Sequence, residues 1–219
     1  MTAPDAVPSA QPSAQPSARP SIVVFDIGQV LIQWDPRHLY RDLFDGDEDL
    51  MEDFLANVCT MDWNLEQDRG RSWEEAVALL AAEHPYCSEL IRAYHERWEE
   101  MVPGPVEGTP EILMELKRRG RTVYAITNFS VEKLELSRKR FDFLTLFDDV
   151  VVSGEVKLIK PDPAIFRVLL DRHGLDPSDT YFIDDSPANV EAARSLGMNA
   201  HHFTGAGPLR AEMEALGLL

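Results

Sequence analysis

The sequence predicts an α/β fold, a parallel sheet with helices on both faces, carrying an all-helical subdomain inserted after the first strand. Three observations lead there. Ile22 to Phe25 (IVVF) is a short, β-branched, continuous apolar run, as expected of a strand buried on both faces. From Pro36 to about Pro103 the pattern is helical, with no convincing strand. Beyond Pro103-Gly104-Pro105, helical and strand-like segments alternate in the manner of βαβ units.

Residues 1–20 repeat Ser-Ala-Gln/Arg-Pro units, too poor in large apolar groups to offset chain entropy, and are expected to form a disordered tail. The α/β core is assigned to residues 21–35 and 104–219, and the helical cap to residues 36–103. Within the cap RHLYRDLF, DLMEDFLANV, SWEEAVALLAAEHP and CSELIRAYHERWEEMV place apolar residues at spacings of three and four. Ser72, followed three positions later by Glu75, is a capping-box signature. After the insertion come helix TPEILMELKRRG, strand TVYAIT, helix VEKLELSRKRF, strand VVVS, helix DPAIFRVLLDRHG, strand TYFID and helix PANVEAARSLG. Gly120, Gly174 and Gly197 stand where left-handed C-terminal caps are wanted. No element is assigned beyond Gly197.

Bulk properties limit the function. A chain of 219 residues buries roughly 70% of its unfolded surface, and 44% hydrophobic with 27% charged residues excludes a fibrous or wholly disordered chain. A formal net charge of -17 makes sustained contact with nucleic acid or an anionic membrane costly. It does not exclude a phosphorylated small molecule, provided a cation and a lysine set the local field. Cys59 and Cys87 suit neither a disulfide framework nor a zinc site and are expected to be buried, reduced thiols. With no apolar run long enough to span a bilayer and no secretory leader pattern, the reading is cytoplasmic, as a monomer or homodimer.

Polar clusters fall at the C-terminal ends of the predicted strands: Asp26, Thr127-Asn128, Lys160, and Asp184-Asp185. In a parallel sheet those ends converge on one crevice. Adjacent acids facing a third carboxylate can chelate a hard divalent cation such as Mg²⁺, and without one the three would raise each other's pKa. For Lys160 the flanking Pro161 and Pro163 fix a set loop, which favours it over Lys157 as the local positive charge.

These residues resemble the haloacid dehalogenase-like superfamily, in the branch with a Rossmann-like core and a helical cap after the first strand. FDIGQVL resembles its first motif, Thr127 its second, Lys160 in GEVKLIKPDPAIF its third, and FIDDSPANVEAA its acidic fourth; the match covers nearly everything from about residue 21. The resemblance implies that Asp26 attacks phosphorus to form an aspartyl-phosphate. It implies Mg²⁺ ligands at Asp26, the Gly28 carbonyl and Asp185, with Asp184 a further ligand or neighbour. Thr127 would hold phosphate through its hydroxyl, Asn128 through its backbone or side-chain amide, and Lys160 as a point charge.

One position departs from the pattern. Most phosphatases of the superfamily carry a second Asp two residues after the nucleophile, which protonates the leaving group, and here that residue is Gly28. A proton donor contributes on the order of 100-fold to 10,000-fold, so its absence matters. Asp184 is a candidate base in its place. The expected function is a Mg²⁺-dependent phosphatase of a small phosphorylated metabolite. The rivals are a 2-haloacid dehalogenase using the same Asp26, and a weakly active or inactive ligand-binding relative. Sugar 1-phosphates and acyl phosphates, whose leaving groups depart readily, would suit the first.

Trp34, Arg37, Trp63, Asn64 and Arg69 are conceivable cap or hinge contributors, although such residues at helical spacing are usually packing. Asn189 is read as a loop clamp bonding to backbone, or as a plain helix residue. His201 and His202 are adjacent, so on a strand they face opposite ways and do not share a metal.

Overall fold

A computed structural model describes residues 19–219. The expected tail lies outside the described residues up to residue 18; of its last two members Arg19 is exposed and Pro20 is buried. The sheet comprises β1 (Ile22–Phe25), β2 (Thr122–Thr127), β3 (Asp149–Val152), β4 (Thr180–Asp184) and β5 (Asn199–His202). All neighbours pair in parallel, in the order β3-β2-β1-β4-β5.

The first strand is the middle one, which explains its unbroken apolar run. Val23 and Phe25 face one layer of core and Val24 the other, and all three are fully buried. Each such side chain contributes roughly 1.5–3 kcal/mol, so this strand needs no amphipathic alternation. Phe25 pairs with Ile183 of β4, which sets the next residues, Asp26 and Asp184, side by side.

Between β1 and β2 the described chain is helical: α1 (Arg37–Leu43), α2 (Glu48–Asn57), α3 (Met61–Asp68), α4 (Trp73–Glu83) and α5 (Ser88–Glu96). Ser72 caps α4 by accepting from the Glu75 amide. Such a cap stabilises by about 1 kcal/mol and fixes where the helix starts. Helix α3 is not among the windows that periodicity picks out. Its sequence, MDWNLEQD, buries Asn64 and Gln67, so the face it turns inward is polar.

The remaining helices are α6 (Thr109–Arg118), α7 (Val131–Arg140), α8 (Ser153–Val156), α9 (Pro163–His173), α10 (Pro187–Ser195) and α11 (Ala206–Leu216). Gly120, Gly174 and Gly197 have φ of 72°, 61° and 88°, the left-handed values a helix C-terminus favours. Past Gly197 the structure adds β5 and α11. As an edge strand reading NAHH, β5 pairs only with β4 and has no apolar pattern to announce it. Cys59 is buried and Cys87 only half-buried, which corrects the expectation for the second; both are free thiols. No helix among the described residues is long and apolar enough to cross a membrane.

Candidate active site

At the C-terminal edge of the sheet, Lys160 Nζ lies 2.8 Å from Asp26 Oδ1 and 2.6 Å from Asp184 Oδ2. The lysine is 3% exposed, Asp26 8% and Asp184 0%, so this ion-paired group is shielded from bulk water and interacts strongly. Burial pushes the Asp26 carboxyl up to about 7, with Lys160 pulling it down and Asp184 and Asp185 pushing it up. Burial disfavours the Lys160 ammonium, yet Asp26 and Asp184 outweigh it and hold its pKa above the usual lysine range. Asp185 is raised as well, by burial first and by Asp184 second.

Carboxylate oxygens of Asp26, Asp184 and Asp185 lie within 4.8 Å of one another. Three carboxylates against the one ammonium of Lys160 leave two negative charges uncompensated at this spot. A divalent cation with a preference for hard oxygen donors fits both the donor set and the charge deficit.

The other predicted residues gather here with differences. Thr127, at the tip of β2, is 1% exposed and its Oγ1 is buried without a hydrogen-bond partner among the described residues. An orphaned hydroxyl of this kind is suited to an incoming oxyanion. The Asn128 side chain is committed elsewhere: its Nδ2 donates to the Lys160 carbonyl (3.0 Å) and its Oδ1 accepts from the Lys160 amide (2.8 Å). The expected side-chain contact with phosphate is therefore replaced by a clamp on the lysine, leaving the Asn128 backbone. Lys160 itself is not at a strand end but on the loop between α8 and α9. Lys157 donates to the Gly70 carbonyl (3.0 Å) and stays out of the carboxylate group.

Asn189 binds a side chain rather than backbone, donating to both Asp184 oxygens at 2.9 and 3.1 Å. With the Ser186 amide also donating to Oδ1 (2.8 Å) and Lys160 on Oδ2, Asp184 has donors on each oxygen, which suits an anchor better than a base. His201 bonds Glu212 and His202 the Asp185 carbonyl, on opposite faces as their adjacency requires.

Above the carboxylates lies a cavity of about 320 Å³. Asp26, Gly28 and Asp185 lie on its floor side, while Trp34, Met61, Leu65, Trp73, Trp98 and Phe129 give apolar walls. Of the cap and hinge candidates, Trp34 and Asn64 line it. Arg37 instead pairs with Glu52, Arg69 with Glu66, and Trp63 packs edge-on against Trp73 and Tyr94.

Two ionisable wall residues escape the sequence reading. Lys133 is 2% exposed; its Nζ lies 2.9 Å from His95 Nδ1, donates to the His95 carbonyl (2.8 Å) and sits over Trp73. Burial pulls its pKa down to about 8. Asp68, the last residue of α3, has no cationic partner within 4 Å among the described residues and accepts weakly from Asn64 Nδ2 at 3.3 Å. Burial pushes its carboxyl up to about 7, with Asp26 adding and the Ser130 backbone N–H opposing. Neither residue stands in a recognisable motif; a charged group on a cavity wall without an ion-pair partner becomes visible only in three dimensions.

Comparison with known proteins agrees with this architecture. A family model described as haloacid dehalogenase-like hydrolase matches residues 61–202. The sesquiterpene phosphatase astK of Aspergillus oryzae is 32% identical over 182 residues, covering 83% of this chain and 88% of that protein. The pyrophosphatase PpaX of Bacillus velezensis is 33% identical over 115 residues, 51% of this chain, and the chain spans about half (53%) of its length. A drimenol cyclase, drtB of Aspergillus calidoustus, is 41% identical over 81 residues, 37% of this chain and 15% of that protein. Among solved structures, the HAD family enzyme bt-2542 from Bacteroides thetaiotaomicron, as a magnesium complex, superposes with a TM-score of 0.66 at 25% identity, covering 86% of this chain and 95% of that one. With well over half of its length inside the family model and a relative above 30% identity matched along most of both chains, the chain belongs to the haloacid dehalogenase-like hydrolases.

Proposed function

We propose that the protein is a Mg²⁺-dependent phosphatase of a small phosphorylated metabolite, acting through an aspartyl-phosphate on Asp26. One observation carries the reading: Asp26, Asp184 and Asp185 crowd around Lys160 with two negative charges left over, an arrangement that suits a divalent ion and a phosphate and is wasteful without them. Asp26, the Gly28 carbonyl and Asp185 would hold the ion, with Asp184 beside them. Bound there, it would neutralise the carboxylates and polarise the phosphoryl oxygens.

The chain's own residues account for the rest. Lys160 orients Asp26 and pulls its carboxyl pKa down against the burial that raises it to about 7. Thr127 Oγ1 and the Asn128 backbone would donate to phosphate oxygens, and the Asn128 side chain fixes Lys160. The helical insertion, residues 36–103, acts as a lid that excludes water from the cavity. Its aromatic walls favour an ester with an apolar organic part, in keeping with the name of the astK relative.

Gly28 keeps the dehalogenase alternative alive, because halide leaves without a proton. Phosphate release from a panel of phosphate esters, abolished by EDTA and restored by Mg²⁺, supports the phosphatase reading. Chloride release from 2-chloropropionate in the presence of EDTA would replace it with the dehalogenase one. Turnover of neither class would leave a ligand-binding protein.

A further inference from the structure

Hydrolysis of an alkyl phosphate needs a proton for the departing alkoxide and a base for the water that attacks next. The first motif supplies neither, since Gly28 occupies the place of the usual acid. The carboxylate group and the cavity above it offer few substitutes. Asp184 already accepts from Lys160, Ser186 and Asn189. Asp26 is the nucleophile, Asp185 belongs to the metal group, and Lys133 has two of its three N–H bonds turned to His95.

Asp68 differs from all of these. It lines the same cavity as Asp26 but comes from the helical insertion, at the C-terminal end of α3. No lysine or arginine neutralises it among the described residues, and its one side-chain donor, Asn64, is long at 3.3 Å. Its position is fixed from below, because Ser153 Oγ donates to the Asp68 carbonyl at 2.6 Å and ties the end of α3 to the core. A half-buried carboxyl without a cationic partner, held at a fixed place, is costly to ionise and so keeps its proton more readily than an ordinary carboxylate.

We propose that Asp68 is the proton donor and acceptor of the reaction, supplied from the helical insertion in place of the residue missing at Gly28. The inference rests on the phosphatase reading of the site. An Asp26 oxygen bonds to phosphorus while the phosphorus–ester oxygen bond breaks, and the Asp68 proton passes to that oxygen to give the free alcohol. The Asp68 carboxylate then takes a proton from water as the water oxygen bonds to phosphorus. The phosphorus–Asp26 bond breaks, releasing inorganic phosphate and returning Asp26 ionised and Asp68 protonated. The raised Asp68 carboxyl is consistent with this, standing near 7 while Asp26, Asp185 and Lys133 line the same cavity.

The test compares two probes with Mg²⁺ present: butyl phosphate, whose alkoxide needs a proton, and p-nitrophenyl phosphate, whose phenolate leaves as the anion. In Asp68→Asn, kcat/KM for butyl phosphate should fall about 100-fold to 10,000-fold. The nitrophenyl ester should lose far less at the bond-breaking step, so a stopped-flow burst of nitrophenolate persists. Gly28→Asp in the same background should recover butyl phosphate turnover, because a side chain at Gly28 meets nothing within 4 Å and its φ is not left-handed. In the unmutated protein the ratio of butyl to nitrophenyl rates should fall as pH rises through about 7. An equal loss of kcat/KM for both esters, a pH-independent ratio, or selective loss in Lys133→Met but not in Asp68→Asn overturns the assignment. Hydrolysis of neither ester by the unmutated protein overturns the phosphatase reading, and the assignment with it.

Discussion

Lys160 Nζ and Asp184 Oδ2 meet at 2.6 Å with both side chains withdrawn from water, and the same ammonium reaches Asp26 at 2.8 Å. A buried pair of this kind adds little net stability when intact, but losing one member leaves an uncompensated charge. Lys160→Ala should therefore lower unfolding stability by about 3–5 kcal/mol in urea titrations at neutral pH. It should also abolish phosphate release. Stability equal to that of the unmutated protein would mean that Asp26 and Asp184 do not depend on this cation.

Asn189 reaches both oxygens of Asp184 and so fixes one of the three carboxylates proposed to gather the ion. Partners of this type are worth about 10–100-fold in metal affinity or activity. Asn189→Ala should weaken Mg²⁺ binding by about that factor, read from calorimetric titration, with far-ultraviolet circular dichroism unchanged. Unaltered affinity would remove Asp184 from the metal site.

An ion held by these carboxylates would compete with protons for the same oxygens. Burial raises the Asp26 carboxyl to about 7 and shifts the Asp185 carboxyl upward as well, so acidification takes these oxygens from an ion. The rise in melting temperature on adding Mg²⁺ should accordingly be larger at about pH 8 than at about pH 5. A shift of the same size at both values would place the ion elsewhere.

Asp68 has a folded-state pKa of about 7 against an ordinary 3.8. A raised value means that the protonated carboxyl favours the fold: its contribution is full below about pH 4 and is lost as pH rises through about 7. Asparagine carries no such titration. Relative to the unmutated protein, Asp68→Asn should become progressively more stable between about pH 4 and pH 8, as followed by denaturant unfolding at each pH. A constant difference would show that the carboxyl is not desolvated.

The sequence by itself determined the sheet and the polar residues at its edge. Parallel strands buried on both faces must be continuous apolar runs, so IVVF, TVYAIT and TYFID announce themselves. The residues at the C-terminal end of each run are carried to one edge of the sheet, which made Asp26, Thr127 and Asp184-Asp185 legible as one group. Lys160 was legible from its proline-flanked loop. Tertiary structure alone decided how these residues are used and what stands over them. Asn128 turned out to hold Lys160 because its side chain meets a backbone distant in sequence. Helix α3 hides its position because its inward face is polar, with Asn64 and Gln67 buried and Asp68 on the cavity wall. β5 hides because an edge strand carries no apolar signature. Periodicity reports burial against apolar surface; it is silent about a carboxylate or an ammonium on a cavity wall, and Asp68 and Lys133 are of that kind.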